Sequence, residues 1–344
     1  MLSRSVLTRP EELADETIVG ALASQWAFDA ATLEYRPVGF GSHHWRAEAR
    51  DGDARFVTVD DLDANLASTP VDTADAAFDR LARAFRAAHA VSTEARLGFV
   101  VAPLPTRDGN IAIRPTRRYA MVVHPYLDAT PAGDEGEFDS DADRFAVLDC
   151  VAELHGGSDV AASHAGVELG FLPGRTELLR ALADVDAAWS SGPYAEPARA
   201  LLHEHAAGVR RLLAHYDDLV RTVRTDPASM VFTHGEPHAN NVLLGRSGPL
   251  LVDWESALMA PPERDLFGLD TGDGAVLAAY TAATGVAVSD ARLEFYRLWY
   301  DLFEVAGYVV RFRTDHRDSE DAAASWRNLV DFLQPEARWP ALFA

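Results

Sequence analysis

The sequence predicts an α+β fold of two lobes, a small antiparallel β-rich N-terminal lobe and a larger, mainly helical C-terminal lobe. Three observations lead there. Between residues 35 and 123, short strand-type stretches are separated by the turn triplets Asp51-Gly52-Asp53 and Asp108-Gly109-Asn110. From residue 144 the apolar residues recur mostly at helical spacing. Between these parts lies an acidic, Gly- and Pro-bearing stretch, TPAGDEGEFDSDAD at 130–143, which reads as a surface loop. The expected units are residues 1–124, a connection at 125–128 within HPYLD, and residues 129–344.

Pro10 followed by Glu11 and Glu12 marks a helix start, and Leu13, Ile18, Leu22 and Trp26 supply its apolar face. Tyr35–Val38 leads as a strand into Gly39-Phe40-Gly41-Ser42, and strands follow at His43–Arg50 and Arg55–Val59. Residues 72–91 form an Ala-rich helix that buries Phe78, Leu81, Phe85 and Ala88. Strands are expected over Leu97–Thr106 and Ile111–Val123, with Pro115 interrupting the second. Helices are expected at Arg144–His155, Thr176–Trp189 and Ala195–Val223, then short strands near Met230–Phe232, Val242–Leu244 and Leu250–Val252. Further helices follow at roughly 263–284, 290–313 and 319–334.

Composition narrows the function. The 344 residues carry a formal net charge of −22, which disfavours nucleic acid, a polyanion that needs a basic face. The single cysteine, Cys150, argues for a reducing compartment. The N-terminal residues lack the apolar core of a signal peptide, and no apolar run approaches a membrane span, so a cytoplasmic protein is expected. All 31 basic residues are arginine; the chain contains no lysine.

The chemistry concentrates in residues 231–255, VFTHGEPHANNVLLGRSGPLLVDWE. A hairpin turning at Gly245–Gly248 brings Asn241, before its first arm, close to Asp253, after its second. An amide oxygen and a carboxylate that converge in this way suit Mg²⁺, which takes hard oxygen ligands and keeps phosphate oxygens and waters as the rest. Glu236, in the same loop, is placed to accept a proton from an incoming hydroxyl.

HGEPHANN resembles the catalytic loop of the protein-kinase fold, and Asp253-Trp254-Glu255 resembles its metal-binding Asp-Phe-Gly. Gly after His, Asp-Trp-Glu downstream and PPERDL at 261–266 resemble the aminoglycoside phosphotransferase family, with the spectinomycin-phosphotransferase-like branch nearest. The resemblance implies a two-lobed kinase-like fold, ATP or GTP with Mg²⁺ as cofactors, and a small hydroxylated acceptor. Glu236, Asn241 and Asp253 would be catalytic, with Asn241 and Asp253 on the metal. Gly39, Gly41 and Ser42 would cover the phosphates, and Pro125 and Leu127 would line the nucleotide's base. Asp265 would brace the catalytic loop.

The chain departs from that pattern twice. Glu236 stands where the family has Asp, a side chain longer by one C–C bond, about 1.5 Å; displacements of that order cost ~100-fold in rate. Thr58, in RFVTVDD, stands where the family has the lysine that contacts ATP. Arg46 is the candidate substitute, because guanidinium pairs readily with phosphate oxygens; an ordinary surface arginine is the equal alternative. Asp79 is placed for the acid that normally partners that lysine, although a solvated helix-face position suits it better. Asp301 and Glu304, in LWYDLFEVAGYV, either bind a cationic acceptor or pair internally with Arg297, Arg311 or Arg313. The expected function is ATP- and Mg²⁺-dependent phosphorylation of a small polar molecule, such as an aminoglycoside or aminocyclitol antibiotic. The alternative is a nucleotide-binding pseudokinase.

Overall fold

A computed structural model of the chain describes residues 8–39, 41–65, 70–71, 73–134, 136–167, 170–225 and 230–343. Phe40 of the Gly-rich turn therefore lies outside the described residues.

Helix α1 (Asp15–Trp26) precedes three antiparallel strands, β1 (Ala30–Arg36), β2 (Ser42–Ala49) and β3 (Ala54–Asp61). After the short α2 (Leu62–Asn65) comes α3 (Ala74–Thr93), whose first turn is capped by the Thr73 hydroxyl accepting from Ala76 N–H. Strand β4 (Tyr119–Pro125) completes a sheet of order β1-β2-β3-β4. The alternation of a strand divides this sheet into two faces. Trp45, Ala47, Val57, Val59, Met121 and Val123 pack outward with Leu13, Ile18 and Leu22 from the N-terminal helix region. Ala120 and Val122 join a second core with α3 and the centre of the chain.

Residues 97–118 differ from expectation. Instead of two strands they form irregular chain, with isolated bridges Val100↔Leu251 and Ile113↔Met121. Pro103, Pro105 and Pro115 lack the N–H that a ladder needs. The acidic stretch after β4 also holds three two-residue strands, β5 (Thr130–Pro131), β6 (Gly133–Asp134) and β7 (Glu137–Phe138).

The remainder is mainly helical: α4 (Asp141–Gly156), α5 (Ser158–Ala161), α6 (Arg175–Ala183) and α7 (Ala195–Thr225). Four strands follow, β8 (Val231–Thr233), β9 (Val242–Gly245), β10 (Gly248–Leu251) and β11 (Leu258–Ala260). They pair as β10-β9-β5 and β11-β8. The helix expected over 263–284 is two helices, α8 (Glu263–Leu266) and α9 (Ala275–Thr284). Gly272 and Gly274 lie between them at φ +88° and +77°, where a helix cannot run. The chain closes with α10 (Asp290–Arg313), α11 (Glu320–Phe332) and α12 (Pro335–Arg338). Ser289 and Ser319 cap α10 and α11 through their hydroxyls. Helices α6, α7, α10 and α11 enclose a third core. No helix among the described residues is long and apolar enough to cross a membrane.

Candidate active site

The β9–β10 hairpin pairs Val242 with Leu251 and Gly245 with Gly248. The Val252 N–H then donates to the Asn241 carbonyl at 3.0 Å, which places Asp253 beside Asn241. The Asn241 amide nitrogen donates to the Glu236 carbonyl at 3.0 Å. That bond fixes the amide and turns its oxygen away from Glu236. Asp253 sits at φ +65°, a left-handed conformation that a non-glycine residue adopts only when its surroundings impose it. Burial pushes its carboxyl well above the usual range, and Glu255 and Glu236 add to the rise. The charges of Glu255 and Glu236 thus bear on Asp253 next to Asn241.

The loop that carries Glu236 is tied down from behind. Asp265, fully buried, accepts from the backbone N–H groups of His234 at 2.9 Å and Gly235 at 2.6 Å, and lies 3.0 Å from His155 Nε2. His155 Nδ1 lies 2.8 Å from the Tyr280 hydroxyl. The Glu236 N–H donates to His234 Nδ1 at 3.3 Å, so His234 Nε2 carries the proton and donates to the Val252 carbonyl at 2.7 Å. Arg264, almost fully buried, donates to the Thr233 hydroxyl at 2.8 Å and the Ser256 carbonyl at 2.9 Å. Burial opposes the charge of Glu236, yet its pKa is held below the ordinary value, with the Arg264 guanidinium among the charges that favour ionisation.

The inner face of the N-terminal sheet faces this loop. Register pairs run Ser42↔Asp60, His44↔Thr58 and Arg46↔Phe56, and the last pair neighbours His124 at the chain connection. Gly39 and Gly41, at φ +75° and +93°, provide the turn before β2. Pro125 ends β4, and Leu127 follows it half-buried. Thr58 is occupied by His44, whose Nδ1 lies 3.2 Å from the Thr58 hydroxyl. His44 also stacks on Phe56, with centroids 5.0 Å apart. Burial pushes His44 down to about 3 and His124 down to about 4. Both imidazoles are neutral at pH 7 and supply no charge for phosphates.

Two expectations change. Arg46 does not reach the Ser42 end of the face. It is ion-paired with Glu48, and its guanidinium lies over Tyr126, 4.9 Å from the ring centroid, at the chain connection. Asp301 is not free for an acceptor: Arg338 grips it with Nε at 2.9 Å and Nη2 at 2.5 Å, and Trp339 Nε1 donates at 2.8 Å. Its partner is none of the expected arginines; Arg297 pairs with Asp270 and Arg313 with Asp184. Glu304, one turn along α10, behaves differently. Burial raises its pKa to about 7, with the charges of Glu236 and Asp301 contributing to the rise, and it also acts on Tyr300. Asp79 is exposed on α3.

Asp60 and Glu255 escaped the sequence reading. Ser42 Oγ lies 2.7 Å from Asp60 Oδ1 and 3.2 Å from Glu255 Oε2, so the start of β2, the end of β3 and the metal-type loop meet at one hydroxyl. The available signal was the period of two along β3, which puts Asp60 on the same face as Thr58. Among the described residues no group of three or more His, Cys, Asp or Glu forms a ready metal cage. A divalent ion here would draw on one or two carboxylates, an amide oxygen and substrate phosphates.

A family described as the phosphotransferase enzyme family, abbreviated APH, matches residues 34–308 of the chain, a span that includes the Gly-rich turn, the catalytic-type loop and α10. The chain belongs to this phosphotransferase family. Protein StrN of Streptomyces griseus is 30% identical over 259 residues, which is 72% of this chain and 75% of that protein. Spectinomycin phosphotransferase APH(9)-Ia, solved with ADP and spectinomycin, shares the fold at a TM-score of 0.71 and 14% identity, over 94% of this chain and 98% of its own. The amicoumacin kinase hAmiN, solved with AMP-PNP, Ca²⁺ and its ligand, aligns at a TM-score of 0.55 and 10% identity, over 93% of each chain. The phosphotransferase's two-lobed fold is thus that of kinase-like enzymes, and its class is that of small-molecule phosphotransferases.

Proposed function

We propose that this phosphotransferase moves the terminal phosphoryl group of ATP, with Mg²⁺, onto a hydroxyl of a small cationic molecule of the aminocyclitol or aminoglycoside type. What supports this reading is that the Asn241 amide bonds to the Glu236 carbonyl, the Val252–Asn241 bond sets Asp253 next to Asn241, and the charge of Glu236 bears on Asp253. The donor set fits Mg²⁺: Asn241 offers an amide oxygen, and Asp253 is a carboxyl open to the cleft and acted on by two other acids, an arrangement that a divalent cation relieves. When bound, the ion would neutralise phosphate charge. Glu236 orients the acceptor hydroxyl and takes its proton, while Asp265, through the His234 and Gly235 amides, keeps the loop still. The turn at Gly39, Gly41 and Ser42 covers the phosphates, and Pro125 and Leu127 border the base. Arg46, over Tyr126, lines the base end of that cleft.

Glu304 selects the acceptor. It is buried near the Glu236 carboxylate, and an ammonium group beside the reacting hydroxyl would pair with it. Asp301, already held by Arg338, takes no part. A resistance or biosynthetic role in the cytoplasm suits such a reaction. The test is ATP consumption and product mass across a panel of hydroxylated amines. Transfer to an amine-bearing alcohol that vanishes in Asp253→Ala supports the reading. ATP binding with no phosphorylated product from any acceptor supports a pseudokinase instead, the alternative suggested by Glu236 and the missing lysine.

A further inference from the structure

The chain contains no lysine, and the positions that should compensate do not. Thr58 is taken by His44, Arg46 is drawn to Glu48 and Tyr126, and the two buried histidines of the sheet face are neutral. Two residues beyond Thr58, on the same face, stands Asp60, wholly buried. Its Oδ1 accepts from Ser42, while its Oδ2 is buried with no hydrogen-bond partner among the described residues. The carboxyl of Glu255 lies within hydrogen-bonding reach of the Asp60 carboxyl. Ser42 is close to both acids, but a hydroxyl has one proton and can serve one of them at a time. The other charges that bear on Asp60 belong to Asp253 and Asp61, and both are negative. A buried carboxylate and a part-buried one facing each other with one donor between them repel unless something positive sits there.

We propose that Asp60 and Glu255, beside the Ser42 hydroxyl, hold a divalent cation of their own, distinct from the ion at Asn241 and Asp253, and that this cation supplies the positive charge that lysine would supply. The chemistry is that of a hard ion bound by two carboxylates, with its remaining positions open to water or to phosphate oxygens. The placement suits the role. Ser42 opens β2 directly after the glycine turn, Asp60 is the penultimate residue of β3, and Glu255 lies two residues past Asp253. An ion there joins the roof of the cleft to its floor. Its action on phosphates rests on the phosphoryl-transfer reading above; its binding does not.

The test therefore uses nucleotide-free, full-length protein and Mn²⁺ as the probe, with bound ion counted by the loss of the free-ion EPR signal at millimolar metal. Wild type is expected to bind one Mn²⁺ per chain more than Asp60→Asn, a substitution that keeps side-chain shape. Glu255→Gln is expected to lose the same ion, and the double variant no further ion. Asp60→Asn should keep or raise the melting temperature without metal, since repulsion is relieved, and should show a smaller rise on adding Mn²⁺. If Asp60→Asn does not fold, Glu255→Gln carries the comparison. Equal Mn²⁺ counts in wild type and in the folded variants would overturn the proposal and assign a shared proton to the carboxyl pair. That result would leave phosphoryl transfer intact, because product formation is measured separately.

Discussion

Under the proposed function, Glu304 gives the reaction its pH dependence. Burial places its carboxyl at about 7 instead of the model-peptide value of 4.5, so the free site holds it largely protonated below neutrality. Pairing with an ammonium group requires the ionised form. The KM for a cationic acceptor is therefore expected to fall as pH rises through about 7 and to level off above it. Glu304→Gln should raise that KM roughly 10- to 100-fold at pH 8 and flatten the profile, with the KM for ATP little changed. Stability has the opposite sign. A carboxyl with a raised native pKa binds its proton more tightly when folded, so stability falls between about 4.5 and 7 as the unfolded chain ionises first. Glu304→Gln should remove that fall, as urea unfolding at pH 5 and pH 8 would show. At Gly235 the constraint is steric. Its φ is +101°, and a Cβ there would collide with the Arg264 guanidinium. Gly235→Ala should cost about 2 kcal/mol or more in urea unfolding and depress kcat, since the displaced loop carries Glu236. At this scale the nearness of Asn241 to Asp253 and to the Glu236 backbone was legible, because it is encoded in local spacing. The sequence concealed Asp60 and the true partner of Asp301, because Glu255 and Arg338 lie far along the chain.

The loop at 234–241 and the β9–β10 hairpin form one element braced by Asp265. Its carboxylate receives two backbone N–H groups and His155, and the His155 hydrogen bond together with the Arg264 charge holds its pKa down despite burial. A depressed carboxyl contributes stability that is present above the unfolded value and lost as pH falls through the folded one. Asp265→Asn replaces one oxygen acceptor with a donor that faces N–H groups. A loss of about 2 to 4 kcal/mol in urea unfolding is expected, with kcat reduced and the KM for ATP changed less. Elements were legible where pattern and capping agreed, as for α3 behind Thr73 and α10 behind Ser289. They were illegible where apolar residues mimic a strand but prolines forbid its ladder, as in 97–118. The three-residue β11 offers no period at all; it exists because it pairs with β8. The gap between α8 and α9 was written in Gly272 and Gly274, which a helical count overlooks.

Across the whole molecule, the shared central core joins α3 and the inner sheet face to the hairpin and α4, while α7, α10 and α11 form a separate helical core. The C-terminal α12 region is fastened to the second by Asp301, through Arg338 and Trp339. Arg338→Ala should lower stability by about 1 to 2 kcal/mol in urea, discounted for the partial exposure of Arg338, and leave the acceptor KM within about twofold. A large rise in acceptor KM would return Asp301 to the acceptor site. The two-lobed plan was readable from the change from strand to helix periodicity. The joining of the lobes through Ser42, Asp60 and Glu255 was not, since it depends on three elements meeting in space. The most direct measurement of the central claim is the mass of an aminocyclitol or aminoglycoside acceptor incubated with ATP, Mg²⁺ and enzyme. One added phosphoryl group with wild type, and none with Asp253→Ala of equal stability, is the predicted result; phosphorylation that persists undiminished in Asp253→Ala would contradict it.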